Sequence, residues 1–558
     1  MTSTDAPSSP SLVPGEEHVY PILTPSDVAR IAAHGRRRHV EHGEVLVRTG
    51  ESAAHLFVVV AGRLDAIRPS AARDVVVSFG PGMFTGEATM LSGRPGLAEI
   101  RAGTDSDVIE VGRDDLLALI QTDGELSAIF MRAFILRRVQ LIASGVSDVV
   151  VLGSAHCQGT LRVREFLTRN GHPHTMLDLD RDAGVQELLD RFHVVAADIP
   201  VVITRGEVVL RNPTNQQIAD ALGFNDAIDR THLRDLVVVG AGPSGLAAAV
   251  YGASEGLDVL VVESTAPGGQ AGASSRIENY LGFPTGISGL DLAGRAASQA
   301  QKFGAQLMIG CGASRLACAS APYTVETGDG QRVPARAVIV ATGAEYRRLP
   351  IDGLARFEGA GVYYAATFME AQLCGGDEVV VVGAGNSAGQ AAVFLAQAAR
   401  RVHMVIRSAG LADTMSRYLI RRIEDHPAIV RHVHTEIANL EGNGHLERVS
   451  WRDSRSGRVE THDIRHVFTM TGAVPSTGWL DGCLALDARG FVKTGPDLSP
   501  EDLATARWPL ARAPYLLETS RPGVFAIGDV RSGSLKRVAS AVGEGSIAIA
   551  AVHRVRHE

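Results

Sequence analysis

Short apolar runs followed by glycine-rich turns repeat along this 558-residue chain. The clearest run, residues 236–239 (LVVV), is rich in β-branched side chains and is followed by residues 240–245 (GAGPSG). This pattern predicts a strand that is buried on both faces, then a tight turn, then a helix that begins beside the turn. The small side chains that follow residue 245 predict close packing of that helix on the strand.

The glycines of this first turn have the spacing of a dinucleotide-binding fingerprint. The first allows the tight turn, the second lets a pyrophosphate approach the backbone, and the third lets the helix pack on the strand. The free N–H groups and the positive end of the helix dipole favour a phosphate there. A second strand, residues 259–262, ends in a carboxylate placed for a ribose hydroxyl. The residues predicted to form this dinucleotide site are Gly240, Gly242, Pro243, Ser244, Gly245 and Glu263.

The same strand, turn and helix pattern occurs a second time, at residues 379–392. Its second strand, residues 402–406, is followed by Arg407 rather than by an acid. A cation at this position suits a 2′-phosphate and favours NADPH over NADH, although an Arg at a solvated strand end is the alternative. Two dinucleotide sites in one chain predict a flavin together with a nicotinamide cofactor. The residues predicted to bind NADPH are Gly383, Gly385, Asn386, Ser387, Ala388 and Arg407.

Length and composition exclude several other classes of protein. A chain of 558 residues is too long for one hydrophobic core, so we expect three or four domains. The formal charge of −8 argues against general binding to nucleic acid or to a membrane surface. No apolar run of about eighteen residues is present, so we expect no membrane-spanning helix. The five cysteines lack paired spacing, which predicts a cytoplasmic protein without disulfides in which Cys311 and Cys318 are packing residues.

Residues 20–142 contain short alternating strands and glycine turns, which predict a small β-barrel or jelly roll flanked by helices. Within them, residues 84–91 (FTGEATML) resemble the phosphate-binding cassette of cyclic-nucleotide-binding domains. In that family a Glu holds the ribose hydroxyl, which Glu87 matches, and a later Arg pairs with the cyclic phosphate. The positions for that Arg are Gly96 and Leu97, and a phosphate without a bidentate Arg loses its strongest contact. We therefore expect this fold, with cyclic-nucleotide binding as the less favoured alternative.

Residues 146–226 alternate strand, helix, strand, helix, strand, strand and helix, with a hairpin turn at Gly206. This order resembles the thioredoxin or glutaredoxin fold, with Pro200 at the position of that fold's cis-proline. Redox-active members carry cysteine at a helix N-terminus, where a thiolate is stabilised. Only Cys157 is present here, and Thr160 occupies the second cysteine position. The domain is therefore either a monothiol site or, as we favour, a redox-inert docking domain.

The chain from residue 234 onward has motifs that resemble, in order, those of the low-molecular-weight thioredoxin reductase flavoproteins. In that family, residues 267–270 (PGGQ) and 277–284 (IENYLGFP) would line the flavin ring and its ribityl chain. Residues 338–343 would end the first part of the FAD domain, and residues 523–530 would contact the ribitol. The resemblance adds the following residues to the predicted FAD site: Gly268, Gly269, Gln270, Asn279, Thr342, Gly343, Gly528, Asp529, Val538 and Ala539.

The patterns and the resemblances together predict an α/β multidomain protein. Its parts would be a cyclic-nucleotide-binding-like β-barrel, a thioredoxin-like α/β domain and two Rossmann-like domains for FAD and NADPH. The two hinge strands are expected near residues 349–353 and 471–476, and the resemblance implies a homodimer. The predicted divisions are a flexible polar tail without a signal peptide at 1–19, the barrel at 20–142, the thioredoxin-like domain at 146–226, the FAD domain at 232–350 and 475–558, and the inserted NADPH domain at 351–474.

The dithiol that disulfide reductases of this family carry is missing from the sequence. Ala366 and Met369 occupy the two cysteine positions that precede the second glycine turn. Neither side chain can form a thiolate or a disulfide, so the usual relay from flavin to a protein dithiol is absent. Thr367, Phe368 and Met369 would instead form an apolar floor against the flavin, and Cys374 has no partner.

The sequence therefore predicts an FAD-dependent NAD(P)H oxidoreductase that passes hydride from NADPH to FAD and electrons to a small-molecule or protein acceptor. Hydride transfer depends on the alignment of two rings, so we assign no catalytic side chain and no metal. One alternative is a redox-sensing docking flavoprotein with little turnover. The other is a thioredoxin-disulfide reductase that uses the thiol of Cys157 in the fused domain.

Overall fold

The computed structural model describes residues 18–51, 54–67, 74–86, 89–96, 98–143, 149–154, 157–179, 198–204, 208–274, 276–366, 368–412, 415–480 and 482–558. Within these ranges no helix is both long enough and apolar enough to cross a membrane. The described residues form a β-rich first part, a small α/β sheet and two larger α/β sheets.

The first part is built from two antiparallel sheets that enclose one core and from helices that cover a second. Its elements are α1 (Pro25–Ala32), β1 (Arg36–Val40), β2 (Val45–Val47), β3 (His55–Ala61), β4 (Leu64–Ile67), β5 (Val75–Phe79), α2 (Thr89–Ser92), β6 (Glu99–Ala102), β7 (Ser106–Gly112), α3 (Arg113–Thr122) and α4 (Gly124–Ala143). The strand orders are β1-β7-β3 and β2-β6-β4-β5. Phe57 and Phe79 fill the barrel, and Phe130 and Phe134 of α4 pack against Phe84. The β-rich domain predicted from the sequence is confirmed.

The small middle sheet has the strand order β11-β10-β8-β9, in which only the β8–β9 pair is parallel. Its elements are β8 (Val149–Gly153), α5 (Gln158–Arg169), β9 (Thr175–Asp178), β10 (Val201–Thr204), β11 (Val208–Arg211) and α6 (Asn215–Ala221). The Ile199–Pro200 peptide bond is cis. The predicted second helix and the predicted turn at Gly206 lie outside the described residues.

The first dinucleotide sheet follows directly. Its elements up to the hinge are β12 (Arg234–Val239), α7 (Pro243–Ser254), β13 (Val259–Glu263), α8 (Gly269–Gly272), α9 (Gly289–Lys302), β14 (Gln306–Ile309), β15 (Ala313–Ala317), β16 (Tyr323–Thr327) and β17 (Arg332–Val340). The strand order is β14-β13-β12-β17-β16-β15, with the first four strands parallel. The Val-rich strands are buried because α7 and α9 cover one face and β15 and β16 fold over the other.

The inserted second dinucleotide sheet is entered and left through one pair of antiparallel strands, β18 and β27. Its elements are β18 (Ala344–Tyr346), β19 (Val362–Tyr363), α10 (Phe368–Leu373), β20 (Glu378–Val382), α11 (Asn386–Leu395), β21 (Arg401–Ile406), α12 (Arg417–Asp425), β22 (Ile429–Val433), β23 (Thr435–Glu441), β24 (Arg448–Asp453), β25 (Val459–His462), β26 (His466–Thr469) and β27 (Ala473–Pro475). The parallel order is β19-β26-β20-β21-β22, and β23, β24 and β25 form a separate antiparallel sheet.

The first hinge strand lies nearer the N-terminus than the sequence predicted, at Ala344–Tyr346 instead of residues 349–353. The prediction was wrong because only pairing with Ala473–Pro475, more than a hundred residues away, defines this strand. The chain then returns to the first sheet through α13 (Pro500–Ala506), β28 (Val524–Ala526), which pairs with β17, and α14 (Val538–Arg556).

Two of the cysteines form a disulfide that the sequence did not predict. The sulfurs of Cys318 and Cys483 are 2.09 Å apart, and the two residues are separated by 165 positions. The predictions that the chain has no disulfides and that Cys318 is a packing residue are therefore wrong. Sequence spacing gave no signal because the fold alone brings β15 next to the segment that precedes Leu484. Cys311 is fully buried, as expected for a packing residue.

Candidate functional site

The first glycine turn leaves β12 and enters α7, and two of its glycines are required by the protein's own backbone. An added Cβ at Gly240 (φ 106°) would lie 2.3 Å from the carbonyl oxygen of Ala341. An added Cβ at Gly245 would overlap the carbonyl oxygen of Gly240. The roles predicted for these two positions, a tight turn and close packing of helix on strand, match these contacts.

The middle glycines of both turns are different, because no atom of the described residues excludes a side chain there. An added Cβ at Gly242 or Gly385 would meet nothing within 4 Å, and both residues have φ values (−68° and −85°) that other residues adopt. Each is the residue immediately before an α-helix, α7 or α11, whose free N–H groups favour an anion. The open space in front of these two backbones fits a pyrophosphate, which needs direct access to the main chain.

Glu263 ends β13 and is buried, as a ribose-binding acid in this position would be. Its carboxylate accepts hydrogen bonds from the backbone N–H groups of Ala241 (2.8 Å) and Thr265 (2.8 Å). A carboxylate has about four acceptor positions, so two remain for the hydroxyls of a ribose. The acid therefore also fixes the shape of the turn itself.

The segment predicted to line the flavin is tied to the first turn and to the hinge. The N–H of Gly268 donates to the carbonyl of Ala241 (2.7 Å), and both Gly268 and Gly269 have positive φ values (100° and 52°). Gln270 Nε2 donates to the carbonyl of Ala344 in β18 (2.7 Å). This fixes the segment beside the first hinge strand.

The remaining predicted flavin residues also lie along these elements. Thr342 Oγ1 donates to the carbonyl of Ser476 (2.8 Å) across the hinge, and Gly343 has a φ of 67°. Asn279 is exposed, and Val538 and Ala539 begin α14. The hydrogen bonds described above place Gly268, Gln270 and Thr342 close to the carboxyl ends of β12 and β17.

Asp529 follows β28 and is held between two elements. Burial raises the pKa of its carboxyl, while Lys536, whose Nζ is 4.0 Å from Oδ2, lowers it. Sequence reasoning missed Glu544 of α14, which accepts from the N–H of Gly528 (2.6 Å) and from Arg531 Nη2 (2.6 Å). No local pattern marks this residue, because its partners lie 13 and 16 positions away.

The second glycine turn joins β20 to α11 and repeats the first. An added Cβ at Gly383 (φ 141°) would lie 2.6 Å from the carbonyl of Met470. Asn386 Oδ1 accepts from the N–H of Ser416 (2.8 Å), and Ala388 is buried in the helix. Ser387 lies near the hydroxyl of Tyr346 in β18 and lowers its pKa, which burial raises. Sequence reasoning missed this tyrosine, which is partly buried near Asp529 and therefore connects the second turn to the flavin motif.

Arg407 lies directly after β21, at the carboxyl end of the second sheet, and its side chain is exposed. Within the described part of the chain its guanidinium forms no hydrogen bond or ion pair. The predicted position for a 2′-phosphate contact is therefore accessible and uncommitted.

Ala366, at one of the two positions where the family resemblance predicts a cysteine, is buried in the core of the second sheet. Thr367 and the side chains of Phe368 and Met369 lie outside the described residues, so the predicted apolar floor stays a prediction. Burial raises the pKa of the Cys374 thiol to about 11, and its Sγ donates to the carbonyl of Glu370 (3.2 Å). This thiol is therefore protonated at neutral pH, which makes it a poor nucleophile.

In the first domain, the two arginines nearest in sequence to the predicted phosphate-binding position, Arg94 and Arg101, make other contacts. Glu87 and Leu97 lie outside the described residues, but Gly96 has no side chain to offer. The guanidinium of Arg94 lies over the ring of Phe224, 4.3 Å from its centre. The guanidinium of Arg101 pairs with Glu99 (2.7 Å) on the same strand.

Cys157 of the middle domain immediately precedes α5, with an intermediate degree of exposure. An added Cβ at Gly159 would lie 2.7 Å from the ring of Pro200, so the cis-proline lies against the first turn of this helix. Thr160 is fully buried. The structure therefore brings the single thiol and the cis-proline to one end of the middle sheet.

Comparisons with known proteins agree with this arrangement of two turns on two sheets. The model of the pyridine nucleotide-disulphide oxidoreductase family matches residues 234–545, and that of the cyclic nucleotide-binding domain matches residues 37–123. The chain therefore belongs to the pyridine nucleotide-disulphide oxidoreductase family. It is a thioredoxin reductase-like, FAD-dependent NAD(P)H oxidoreductase, of a type that uses FAD and NADPH.

The similar proteins include NADPH-dependent thioredoxin reductase 3 of Arabidopsis thaliana, which is 30% identical over 366 residues (62% of this chain and 65% of that protein). The chain therefore spans just under two thirds of that relative. Thioredoxin reductase of Treponema pallidum is 32% identical over 316 residues (56% of this chain and 94% of that protein). The crystal structure of T. acidophilum thioredoxin reductase has a TM-score of 0.52 at 27% identity, over 59% of this chain and 100% of that one.

Proposed function

We propose that this protein transfers hydride from NADPH to FAD and passes the electrons to a separate acceptor, without a dithiol of its own. The observation that carries the proposal is the pair of open glycines, Gly242 and Gly385, each directly before a helix. In the part of the chain that the structure describes, nothing excludes a side chain at either position, whereas a bound pyrophosphate would. Two such positions on two sheets support two dinucleotides in one chain.

The residues that would hold the cofactors are those that converge on the two sheet edges. FAD, when bound, supplies an acceptor for hydride and a donor of electrons to the next molecule. We propose the FAD site to be Gly240, Gly242, Pro243, Ser244, Gly245, Glu263, Gly268, Gly269, Gln270, Asn279, Thr342, Gly343, Gly528, Asp529, Val538 and Ala539, and the NADPH site to be Gly383, Gly385, Asn386, Ser387, Ala388 and Arg407.

The protein's own part in this reaction is to orient the two sites. Tyr346 of the hinge contacts Ser387 of the second turn and lies near Asp529 of the flavin motif. Gln270 and Thr342 hold the flavin segment and the sheet edge to the same hinge. Orientation of two reactants can supply several kcal/mol of the barrier, so no acid or base is needed for this step.

Anaerobic titration of the purified protein with NADPH tests the proposal. The flavin absorbance should bleach with one equivalent of NADPH, and reoxidation by a panel of acceptors should identify the acceptor class. The Gly385→Ala variant should retain FAD but require a much higher NADPH concentration. A wild-type flavin that stays oxidised in excess NADPH would contradict the proposal.

A second candidate, reduction of disulfides through the fused domain, is favoured by the cis-proline beside the Cys157 helix. We propose that this domain has a thioredoxin-like fold, supported by its strand order and by the packing of Pro200 on Gly159. Disulfide-reducing activity that is lost in Cys157→Ser would establish this candidate. Activity that is unchanged in that variant would eliminate it.

A further inference from the structure

Helix α5 of the middle domain contacts both dinucleotide domains, one at each of its ends. At the C-terminal end, Arg169 Nη2 donates to the carbonyl of Gly269 (2.7 Å). Asn170, directly after the helix, donates through Nδ2 to the carbonyl of Thr265 (3.0 Å). Both acceptors belong to the first dinucleotide domain, within or close to the segment proposed to line the flavin.

At the N-terminal end the helix lies against the second dinucleotide domain. An added Cβ at Gly359 would be 2.8 Å from Cβ of Gln158, so the two backbones approach closely there. Leu161, one turn further along, packs against the apolar cluster of the second domain that contains Tyr363 and Ala366. This contact surface is the chain segment that leads to the positions of the missing dithiol.

The middle domain cannot shift freely, because it is built into the first dinucleotide domain. Phe166 and Ile218 belong to the same continuous core as Leu246. The side chain of Asn225 makes two buried hydrogen bonds with the backbone of Ile309, both 2.9 Å long. Helix α5 is therefore fixed to the FAD side of the molecule.

The second domain, by contrast, is joined to the first through a short two-stranded connection. The chain crosses between them only at β18 and β27, and the described direct contacts include a half-exposed ion pair between Arg422 and Glu278 (2.6 Å). Two strands paired over three residues each form a hinge that permits rotation. The contact with α5 is an additional attachment, made by the middle domain, that opposes that rotation.

We propose that helix α5 is a strut that holds the NADPH domain in its hydride-transfer orientation throughout turnover, with Gln158 and Leu161 as positioning residues. The proposal rests on the proposed function, since it assumes that NADPH reduces the flavin. Without a dithiol, residues 359–366 have no electrons to accept from the flavin. A fixed orientation of the NADPH domain therefore does not prevent any step of the proposed reaction. Fixed alignment of the two rings preserves the entropic advantage of a preorganised site.

The first test is a reversible cross-link between helix α5 and the NADPH domain. The double variant Gln158→Cys/Gly359→Cys is made in a Cys157→Ser background, where the other cysteines are buried or already paired. The reduced form of the same protein is the matched control, because it carries the same strain at Gly359, where φ is 76°. The oxidised form should consume NADPH within about twofold of the reduced form.

Two results of the cross-linking test would overturn the strut. One is failure of the cross-link to form under oxidant, since the two backbones would then not be neighbours in solution. The other is a loss of roughly tenfold or more in steady-state NADPH consumption in the oxidised form alone, which would mean that the domain must leave α5 in each cycle.

The second test measures the distance between the domains and does not depend on turnover. Spin labels on Ser254→Cys and Gln397→Cys, both exposed positions, report the distance between the first and second dinucleotide domains. The parent should give one narrow distance distribution with and without NADP⁺, and Leu161→Glu should broaden it. Val208→Glu, an exposed apolar position on β11, is the matched control and should leave it narrow.

The kinetic signature separates positioning from a general loss of structure. Leu161→Glu should lower the limiting rate constant of flavin reduction by roughly tenfold or more, while the affinity for NADPH changes by no more than about twofold. The conservative variant Leu161→Met should have the rate constant of the parent. Identical distance distributions in the parent and Leu161→Glu would overturn the strut. If NADPH did not reduce the flavin of the parent protein, the proposed function would be contradicted. The spin-label distances would still test whether α5 fixes the NADPH domain.

Discussion

Arg512 is the partner of a carboxylate that has no access to water. Glu518 is completely buried, and its carboxylate also accepts from the N–H groups of Tyr515 (2.9 Å) and Gly523 (2.9 Å). Arg512 lies 2.6 Å from it and bonds Glu558 at the same time. Removal of one partner of a buried ion pair leaves an uncompensated charge, which costs more than the pair itself contributes.

We therefore expect Arg512→Ala to lower the free energy of unfolding by about 3 kcal/mol. Urea denaturation followed by circular dichroism measures the change. Arg448→Ala is the matched control, because Arg448 pairs with Glu441 on an exposed surface, where such a pair contributes little to stability. Equal losses in the two variants would show that the burial of Glu518 does not matter.

Two adjacent histidines of the NADPH domain should make its stability depend on pH. His403 Nδ1 and His432 Nε2 are 3.0 Å apart, and burial lowers the pKa of both side chains. Glu378 faces the first ring and Glu460 the second, and both raise the pKa, whereas His462 lowers it for both. The folded state therefore favours neutral rings more than the unfolded state does.

Because the folded pKa values are depressed, the stabilising contribution is present above the unfolded pKa of about 6.5 and is lost as the pH falls below it. The free energy of unfolding should decrease from about pH 7 to about pH 5, and His432→Gln should reduce that slope. Replacement of the exposed His445 by Gln is the control. A slope that His432→Gln leaves unchanged would rule out this pair as its source.

Arg407 should determine the choice of nicotinamide cofactor. A guanidinium that pairs with a phosphate forms strong charge-assisted hydrogen bonds. Arg407→Ala should raise KM for NADPH by roughly tenfold to a hundredfold and leave KM for NADH unchanged. Steady-state kinetics with both cofactors measure this, and Arg455→Ala, an exposed arginine on the β24–β25 turn, controls for net charge. A parallel rise for both cofactors would remove the assigned role.

Helices α7 and α14 of the FAD domain pack with a very short distance between their backbones. An added Cβ at Gly545 would lie 2.6 Å from the carbonyl of Ser244, and an added Cβ at Gly252 would lie 3.2 Å from Ile549. Small residues at these points let the two helices meet with their backbones almost in contact. Glu544 can therefore reach the N–H of Gly528 across the same interface.

We expect Gly545→Ala to destabilise the FAD domain by about 1–3 kcal/mol, because the added methyl group overlaps backbone atoms. Gly543→Ala on the same helix meets nothing within 4 Å and should stabilise the protein by about 0.5–1 kcal/mol. Thermal unfolding followed by flavin release distinguishes the two variants. If Gly545→Ala proved as stable as Gly543→Ala, the helices would not be in close contact.

The segment that follows the cassette of the first domain, which contains Arg94 and Pro95, contacts the middle domain. Arg94 lies over Phe224, and an added Cβ at Gly223 would be 2.9 Å from Pro95. Gln121 Nε2 also donates to the carbonyl of Lys302 on α9 (3.2 Å). Arg94 therefore contributes to the contact between the first and middle domains.

We expect the full chain to bind neither cyclic AMP nor cyclic GMP with a dissociation constant below about 1 mM, because the bidentate phosphate contact is missing. Isothermal titration calorimetry measures this. Leu97→Arg, which places a guanidinium at the family's position, should bind more tightly than wild type. Micromolar binding by the wild type would contradict the prediction.

Local patterns were sufficient for the two glycine turns, since residues 240–245 and 383–388 carry strand, turn and helix signals within about a dozen positions. They failed where a partner lies far along the chain. The Cys318–Cys483 disulfide, the contact of Tyr346 with Ser387 and the reach of Glu544 all depend on the folded arrangement. The predicted position of the first hinge strand was wrong for the same reason, because pairing with β27 defines this strand.

The common core of the middle and FAD domains has a consequence for how this protein can be divided. One buried core contains Val163 and Phe166 of the middle domain together with Leu246 and Ile309 of the FAD domain. A chain cut after residue 226 would leave each fragment with an exposed apolar surface, and such surfaces promote aggregation. The reductase half of this protein is therefore not an excisable module, even though relatives of that half exist as shorter chains.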